Sequence, residues 1–519
     1  MASLGRGWSS TSATIAVVSR SGGAEAFVEV TSPSMSVVAQ GLSWRGLTFL
    51  VGSGSWYASL LVLAILLPPG AFGLIAVGTA VTAVTRLFLD AGTGGTIVTT
   101  PRVGAAYLRR ASLRTAMTGI ALAALAAALA GPIADTLAEG GDPDVLRAMM
   151  VTIALAGFTV VPNALLEKTL RFKRLALITI AATVIASAAA VLAAVLGAGV
   201  WALVVRLVLN QFVILVLVWA SALPMFPRGA KGERPRPVRR GASWFVVLAA
   251  AAFCAHTFDN VIVGSLTDVT QLGLYALAFS LAFAPLRQIS WQVGAVLFPS
   301  FAATQDPATV ARRTLRSLRL MALLLLPVLP PAVALAPGLI PAVLGEEWTG
   351  MVVPFQILLA VGIGQGLINI LGETLAATRV AVRGRIELVW AVFVLGGIAV
   401  GTELAGIRGA ALAHLVAFTG LAGAYLWFGT RAIGLSPGRV LRAVRGVVGC
   451  VAVQAIVTTL LVLGIEAAGG EPLVAGVLAA AVGLAVLTPL LWMNQQDLIA
   501  DGRKIFATAI RRRRGVTAA

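Results

Sequence analysis

Fourteen apolar runs of membrane-crossing length, separated by short charged gaps, leave this chain few ways to fold. They lie near 47–67, 73–93, 115–134, 148–166, 175–196, 200–221, 243–265, 272–301, 318–343, 351–375, 386–403, 408–429, 447–466 and 473–493. About 20 apolar residues span a bilayer core as a helix. Inside that core every backbone polar group must be satisfied within the segment, which leaves helices as the predicted element throughout. Composition agrees: 12% of residues are charged, against about 25% in soluble domains. The eighth run is too long for one straight helix and contains Pro285. The ninth contains Pro327, Pro330, Pro331, Pro337 and Pro341. Both are expected to bend or break.

The gaps set the orientation. Of 39 Lys and Arg residues, 34 fall in one alternating set of gaps, from Arg6 to Arg514. The opposite set holds Asp135, Glu139, Asp142, Asp144, Asp268, Glu346, Glu347, Glu403, Glu466 and Glu471, with only Arg147 and Arg408 against them. Basic gaps stay in the cytoplasm, so both termini are expected inside. The net charge of +18 is then a topology signal, with attraction to anionic lipid as a by-product. No nucleic-acid partner is expected.

A 200-residue offset relates two stretches without a gap. Gly41, Ser43 and Trp44 fall on Gly241, Ser243 and Trp244, and Phe72-Gly73-Leu74-Ile75-Ala76 falls on Leu272-Gly273-Leu274-Tyr275-Ala276. Six spans separate the two starts, so the repeats are expected to be parallel, about an axis along the membrane normal. The organisation read from this is a disordered cytoplasmic tail over 1–40 and an N-lobe over 41–222 (spans one to six). A basic cytoplasmic linker, 223–242, leads to a C-lobe over 243–430 (spans seven to twelve). A basic loop with spans thirteen and fourteen fills 431–493, and a basic cytoplasmic tail fills 494–519. Residues 1–40 carry no secretory signal pattern, and Met35 is an alternative start.

Nothing in the chain reads as enzymatic machinery. It has no HExxH, Cys/His cluster, P-loop or CxxC, so no metal or other cofactor is expected. Val361–Gly366 contains a GxGxG, but inside a span, where small residues serve helix contacts. Cys254 and Cys450 lie in apolar runs and are read as small core residues.

What remains is a set of polar residues at membrane depth, where a charge normally faces a wet cavity or a partner. Arg45, Arg86, Arg287, Asp259, Asn260, Gln288 and Gln292 are the candidate substrate-binding residues. Asp90, Arg206, His256 and Glu373 are the candidate gating or coupling residues. Guanidinium groups suit phosphate oxygens through paired bonds, so Arg45, Arg86 and Arg287 point to an anionic substrate such as a diphosphate-linked lipid. Arg86 and Asp90, four apart on one helix, could instead simply pair. Glu373 could simply reach water or Arg379, and His414 reads as a hydrogen-bonded core residue. In straight helices Asp259 and Arg287 would be offset by roughly 10 Å along the normal, so Asp259 is expected to pair across the lobes with Arg206 as an outer gate.

Several stretches resemble a known family. They are GLSWRGLTFLVGSGSWYASLLVLAILLPPGAFGLIAV from Gly41, then Asp90-Ala91-Gly92, Phe258 to Gly264, Leu272 to Tyr275, Val296 to Pro299 and Leu344 to Trp348. Over about 41–430 the chain is similar to polysaccharide-transport flippases of the multidrug/oligosaccharidyl-lipid/polysaccharide exporter superfamily, which serve O-antigen and exopolysaccharide assembly. The resemblance implies a two-lobe, alternating-access transporter in the bacterial inner membrane. Its implied substrate is an undecaprenyl-diphosphate-linked oligosaccharide, moved from the inner to the outer leaflet. Membrane lipids, a polysaccharide polymerase and a coupling ion, proton or sodium, are the implied partners. Two alternatives stay open. A drug/cation antiporter of the same superfamily would need net acidic groups at depth, against the arginine excess here. A polytopic membrane glycosyltransferase or polymerase would need larger external loops than this chain has.

Overall fold

The computed structural model describes residues 16–17, 27–29, 48–90, 93–100, 103–137, 141–226, 257–302 and 306–494. The chain divides into two compact units, Met1–Arg240 and Gly241–Ala519. Among the described residues ten helices are long and apolar enough to cross a membrane, and Val51–Leu66 is a shorter apolar one. Much of span seven, 243–256, lies outside the described residues.

The first unit opens with a π-helical turn, Thr48–Ser53, that runs into α1 (Gly54–Leu66). It continues through α2 (Pro69–Asp90), α3 (Thr93–Thr99), α4 (Ala105–Ala128), α5 (Ala130–Leu137), α6 (Pro143–Lys168), α7 (Phe172–Val195) and α8 (Trp201–Ala222). Pro143 sits in the first turn of α6, where its missing N–H costs nothing, and Asp142 caps that turn by accepting from the Asp144 N–H at 2.8 Å. α4 packs on α6, α7 on α8, and α6 on α8. Leu108, Val161, Leu165, Ile178 and Val218 are buried between them.

Three short strands lie among the described residues of this unit, two of them within 1–40. β1 (Ala16–Val17) pairs antiparallel with β2 (Phe27–Glu29), and β2 with β3 (Val103–Gly104). Val17, Phe27, Val28 and Val103 supply the β-branched and aromatic side chains that favour such pairing.

The second unit runs through α9 (Phe258–Leu266), α10 (Val269–Ala282), α11 (Ala284–Ala302), α12 (Pro307–Leu325), α13 (Leu329–Leu344), α14 (Val352–Thr378), α15 (Val380–Ala424), α16 (Pro437–Ala467) and α17 (Pro472–Asn494). Its helix turn lies 200 residues after that of the first unit: α1 ends at Leu66 and α2 starts at Pro69, α9 ends at Leu266 and α10 starts at Val269. The two long runs with internal prolines are interrupted. Phe283 separates α10 from α11, two residues before Pro285, and a 3-10 turn at Leu326–Val328 around Pro327 separates α12 from α13. α12 also starts well before the predicted ninth span, and α4 before the third. Arg312, Arg313, Arg109 and Arg110 therefore stand on helices rather than in loops, their long stems able to carry the charge to water. Asp306 caps α12, and the Thr309 hydroxyl with the N–H groups of Ala308 and Thr309 holds its carboxyl below the usual range.

α15 is two arms of one hairpin. Ala405 and Gly406 leave helical geometry inside it, Gly406 at φ 56° and ψ −143°, a region open to glycine alone. Gly401 and Gly409 meet across the reversal so closely that a Cβ on either would overlap the other's carbonyl. In a straight helix they would stand roughly 12 Å apart. Outward, Phe393, Leu404 and Val416 are exposed apolar residues, as expected where the solvent is hydrocarbon. Inward, Cys450 is buried with Ala322, Val447 and Leu487, while Cys254 lies outside the described residues.

Candidate functional site

In the first unit the polar groups gather where α1, α2, α6 and α8 meet. Arg206 on α8 is 2% exposed. Its Nη2 donates to the Trp56 carbonyl at 3.0 Å, and its guanidinium lies 3.6 Å from the centroid of the Trp56 ring. This is a cation–π contact backed by a hydrogen bond. Nε of Arg206 has no hydrogen-bond partner among the described residues. One turn farther along, Asn210 donates to Thr183 Oγ1 at 3.5 Å. Gln211 joins two helices: its Oε1 accepts from Arg86 Nη2 at 2.9 Å and its Nε2 donates to Thr159 Oγ1 at 3.4 Å. Arg86 itself is an exposed residue on a helix of membrane length. Asp90 ends α2, and its side chain lies outside the described residues, so the simple Arg86–Asp90 pair is untouched by these contacts. Arg45 and His256 lie outside them as well.

Below this group, buried Lys168 reaches across to α3. Its Nζ donates to the Ile97 carbonyl at 3.3 Å and to that of Thr100. An ammonium placed on the last carbonyls of a helix is favourable in charge and in hydrogen bonding.

In the second unit Asp259 is completely buried on α9. Oδ1 accepts from the Asn260 N–H at 2.8 Å; among the described residues Oδ2 has no hydrogen-bond partner, nor has Oδ1 of Asn260. Arg287 and Tyr275 both lie near enough to interact electrostatically with Asp259. The backbone stays α-helical through Phe283, whose N–H bonds the Phe279 carbonyl and whose carbonyl accepts from the Arg287 N–H. Arg206 and Asp259 each have partners inside their own unit. Tyr275 is fully buried, and its hydroxyl meets Nδ1 of His414 at 3.3 Å, with Phe279 and Phe283 beside the imidazole. His414 is the hydrogen-bonded core residue expected. Gln288 and Gln292 are half-buried on α11.

A second buried network joins α11, α14, the first arm of α15 and the π-helical turn Tyr425–Gly429 that follows α15. Arg383 pairs with Glu373 at 3.1 Å and lies 3.8 Å from Glu387. Asn369 Oδ1 accepts from Arg383 at 3.3 Å, and Asn369 donates to Ser290 at 3.2 Å. The Tyr425 hydroxyl donates to Glu387. Glu373 thus pairs with Arg383. The reason is local: α15 starts at Val380, so Arg383 stands on its first turn and turns inward against α14. Sequence reasoning placed Arg383 among loop cations and passed over Gln211, Tyr275, Glu387 and Tyr425. Arg383 and Glu387 are four apart on a helix, a spacing that could have signalled a pair. Among the described residues no group of three His, Cys, Asp or Glu is placed to hold a metal.

The model of the polysaccharide biosynthesis protein family matches residues 62–353. The chain belongs to that family. Over 392 residues this family member is 24% identical to the lipopolysaccharide biosynthesis protein WzxC of Escherichia coli strain K12, covering 72% of this chain and 77% of the relative. It is 28% identical over 232 residues to the teichuronic acid biosynthesis protein TuaB of Bacillus subtilis strain 168, covering 43% of this chain and 46% of that one. Among solved structures it is similar to the lipid II flippase MurJ in an inward closed conformation, with a TM-score of 0.62 and 10% identity. That match covers 87% of this chain and 100% of the other. At that identity the likeness speaks for the fold: this polysaccharide biosynthesis protein is a multi-pass membrane protein folded like a transporter.

Proposed function

We propose that the chain is a flippase that moves an undecaprenyl-diphosphate-linked oligosaccharide from the inner to the outer leaflet of the bacterial inner membrane by alternating access. It would serve the assembly of a cell-surface polysaccharide, with a polysaccharide polymerase as a partner. Family membership supports the process. The observation that carries the substrate class is Arg86, a cation exposed on a membrane-length helix and held by the neutral amide of Gln211. A charge kept at such depth marks a wet path rather than a lipid face, and a guanidinium suits a diphosphate. Arg287 supports the same reading from the second unit, with Gln288, Gln292 and Arg45 as further polar contacts to the substrate.

Asp259 favours a second ligand. A buried carboxylate with one oxygen unpartnered among the described residues, next to the amide oxygen of Asn260 in the same condition, suits a proton or a sodium ion better than an anionic lipid. We assign it to a coupling ion within the flippase reading, with Asp90, Arg206, His256 and Glu373 as the gating set; a drug/cation antiporter would use the same carboxylate.

The test is export of lipid-linked oligosaccharide in cells carrying Arg86→Ala or Arg287→Ala. Both variants are expected to insert normally and to lose export. Arg86→Lys is expected to rescue poorly, since an ammonium lacks the planar fork. Wild-type export by both alanine variants would overturn the arginine reading.

A further inference from the structure

An arginine that binds an anion needs a fixed aim and a charge that no carboxylate has cancelled. Gln211 supplies the aim to Arg86 and adds no carboxylate of its own. Its side chain is buried, 8% exposed, between α2 and α6. The Thr159 hydroxyl spends its one hydrogen on the Ala156 carbonyl at 2.8 Å, so towards Gln211 it can only accept. The group facing Thr159 must therefore be the amide NH2, and the carbonyl is turned to Arg86 Nη2. A flipped amide would set donor against donor at Arg86 and acceptor against acceptor at Thr159. The network thus fixes the amide, and the amide fixes the guanidinium.

The residue type matters as much as its aim. A glutamate of the same length would reach Arg86 equally well, but it would neutralise the charge. Glutamine accepts one of the guanidinium's N–H groups and leaves the charge whole. Among the described residues no carboxylate pairs with Arg86.

We infer that Gln211 is a positioning residue, holding Arg86 aimed through a neutral acceptor for one phosphate of the substrate's diphosphate. The inference rests on the reading of Arg86 as a substrate contact. Its test uses the purified full-length protein with farnesyl diphosphate as the probe, beside a flipping assay that separates KM from kcat. Gln211→Glu is expected to weaken probe binding about tenfold or more, the size of one charge-assisted contact. It should raise KM with kcat little changed and leave the melting temperature unchanged or higher. In an Arg86→Ala background the same change is expected to do nothing further, because the two act as one unit. Gln211→Met, which removes the acceptor without adding charge, is expected to weaken binding less, and it carries the test where Gln211→Glu does not fold. If Arg86→Ala loses probe binding while Gln211→Glu and Gln211→Met bind as wild type, the positioning role is overturned alone. If Arg86→Ala itself binds as wild type, the underlying reading falls instead.

Discussion

Arg383 shows how much one buried cation can carry. It answers Glu373 and Glu387 together, and Tyr425 supplies a further donor to Glu387. Removing the guanidinium would leave two carboxylates facing each other with little water. Arg383→Ala is therefore expected to destabilise the protein by about 3–5 kcal/mol, the cost of leaving a buried charge unpaired. The triple change Arg383→Met, Glu373→Gln and Glu387→Gln removes the conflict and is expected to recover most of that loss. Melting temperatures in detergent for the two variants check the comparison; equal losses would mean that the network's charges do not balance one another. Arg206 is sustained differently, by a ring face and a carbonyl from Trp56, with no carboxylate paired to it among the described residues.

The helices that the sequence outlined best are those ended by backbone chemistry. Pro69 and Asp268 mark starts, Pro327 marks a break, and Glu403 to Arg408 mark a polar interruption with a glycine in it; each is local information. Gly406 is the sharpest case, since its backbone angles exclude any side chain. Gly406→Ala is expected to cost about 1–3 kcal/mol through strain alone, read as a lowered melting temperature, whereas Gly396→Ala, which meets open space, is expected to be neutral. The site was less legible for a matching reason. The partner of Arg86 lies 125 residues away on α8, and no periodicity along either helix announces it. The burial of Arg383 was hidden by its neighbours Arg379 and Arg385, which made three cations look like one loop. The strands at Ala16–Val17 and Phe27–Glu29 were hidden by the Ser, Thr and Gly around them.

Across the protein, charge asymmetry remains the guide to orientation. A reporter active only in the cytoplasm is expected to work when fused after Lys231 and after Lys504, and to fail near Asp142 and Glu346. Activity near Asp142 would overturn the fourteen-span arrangement with both termini inside. The reversal in α15 bears on how such an arrangement is made. Only Ala405 and Gly406 separate its two arms, and Gly401 and Gly409 touch across them. Glu403 and Arg408 flank this reversal, so only a short polar turn lies between one arm and the next. The two arms are therefore expected to enter the bilayer together as a helical hairpin, a single unit of biogenesis.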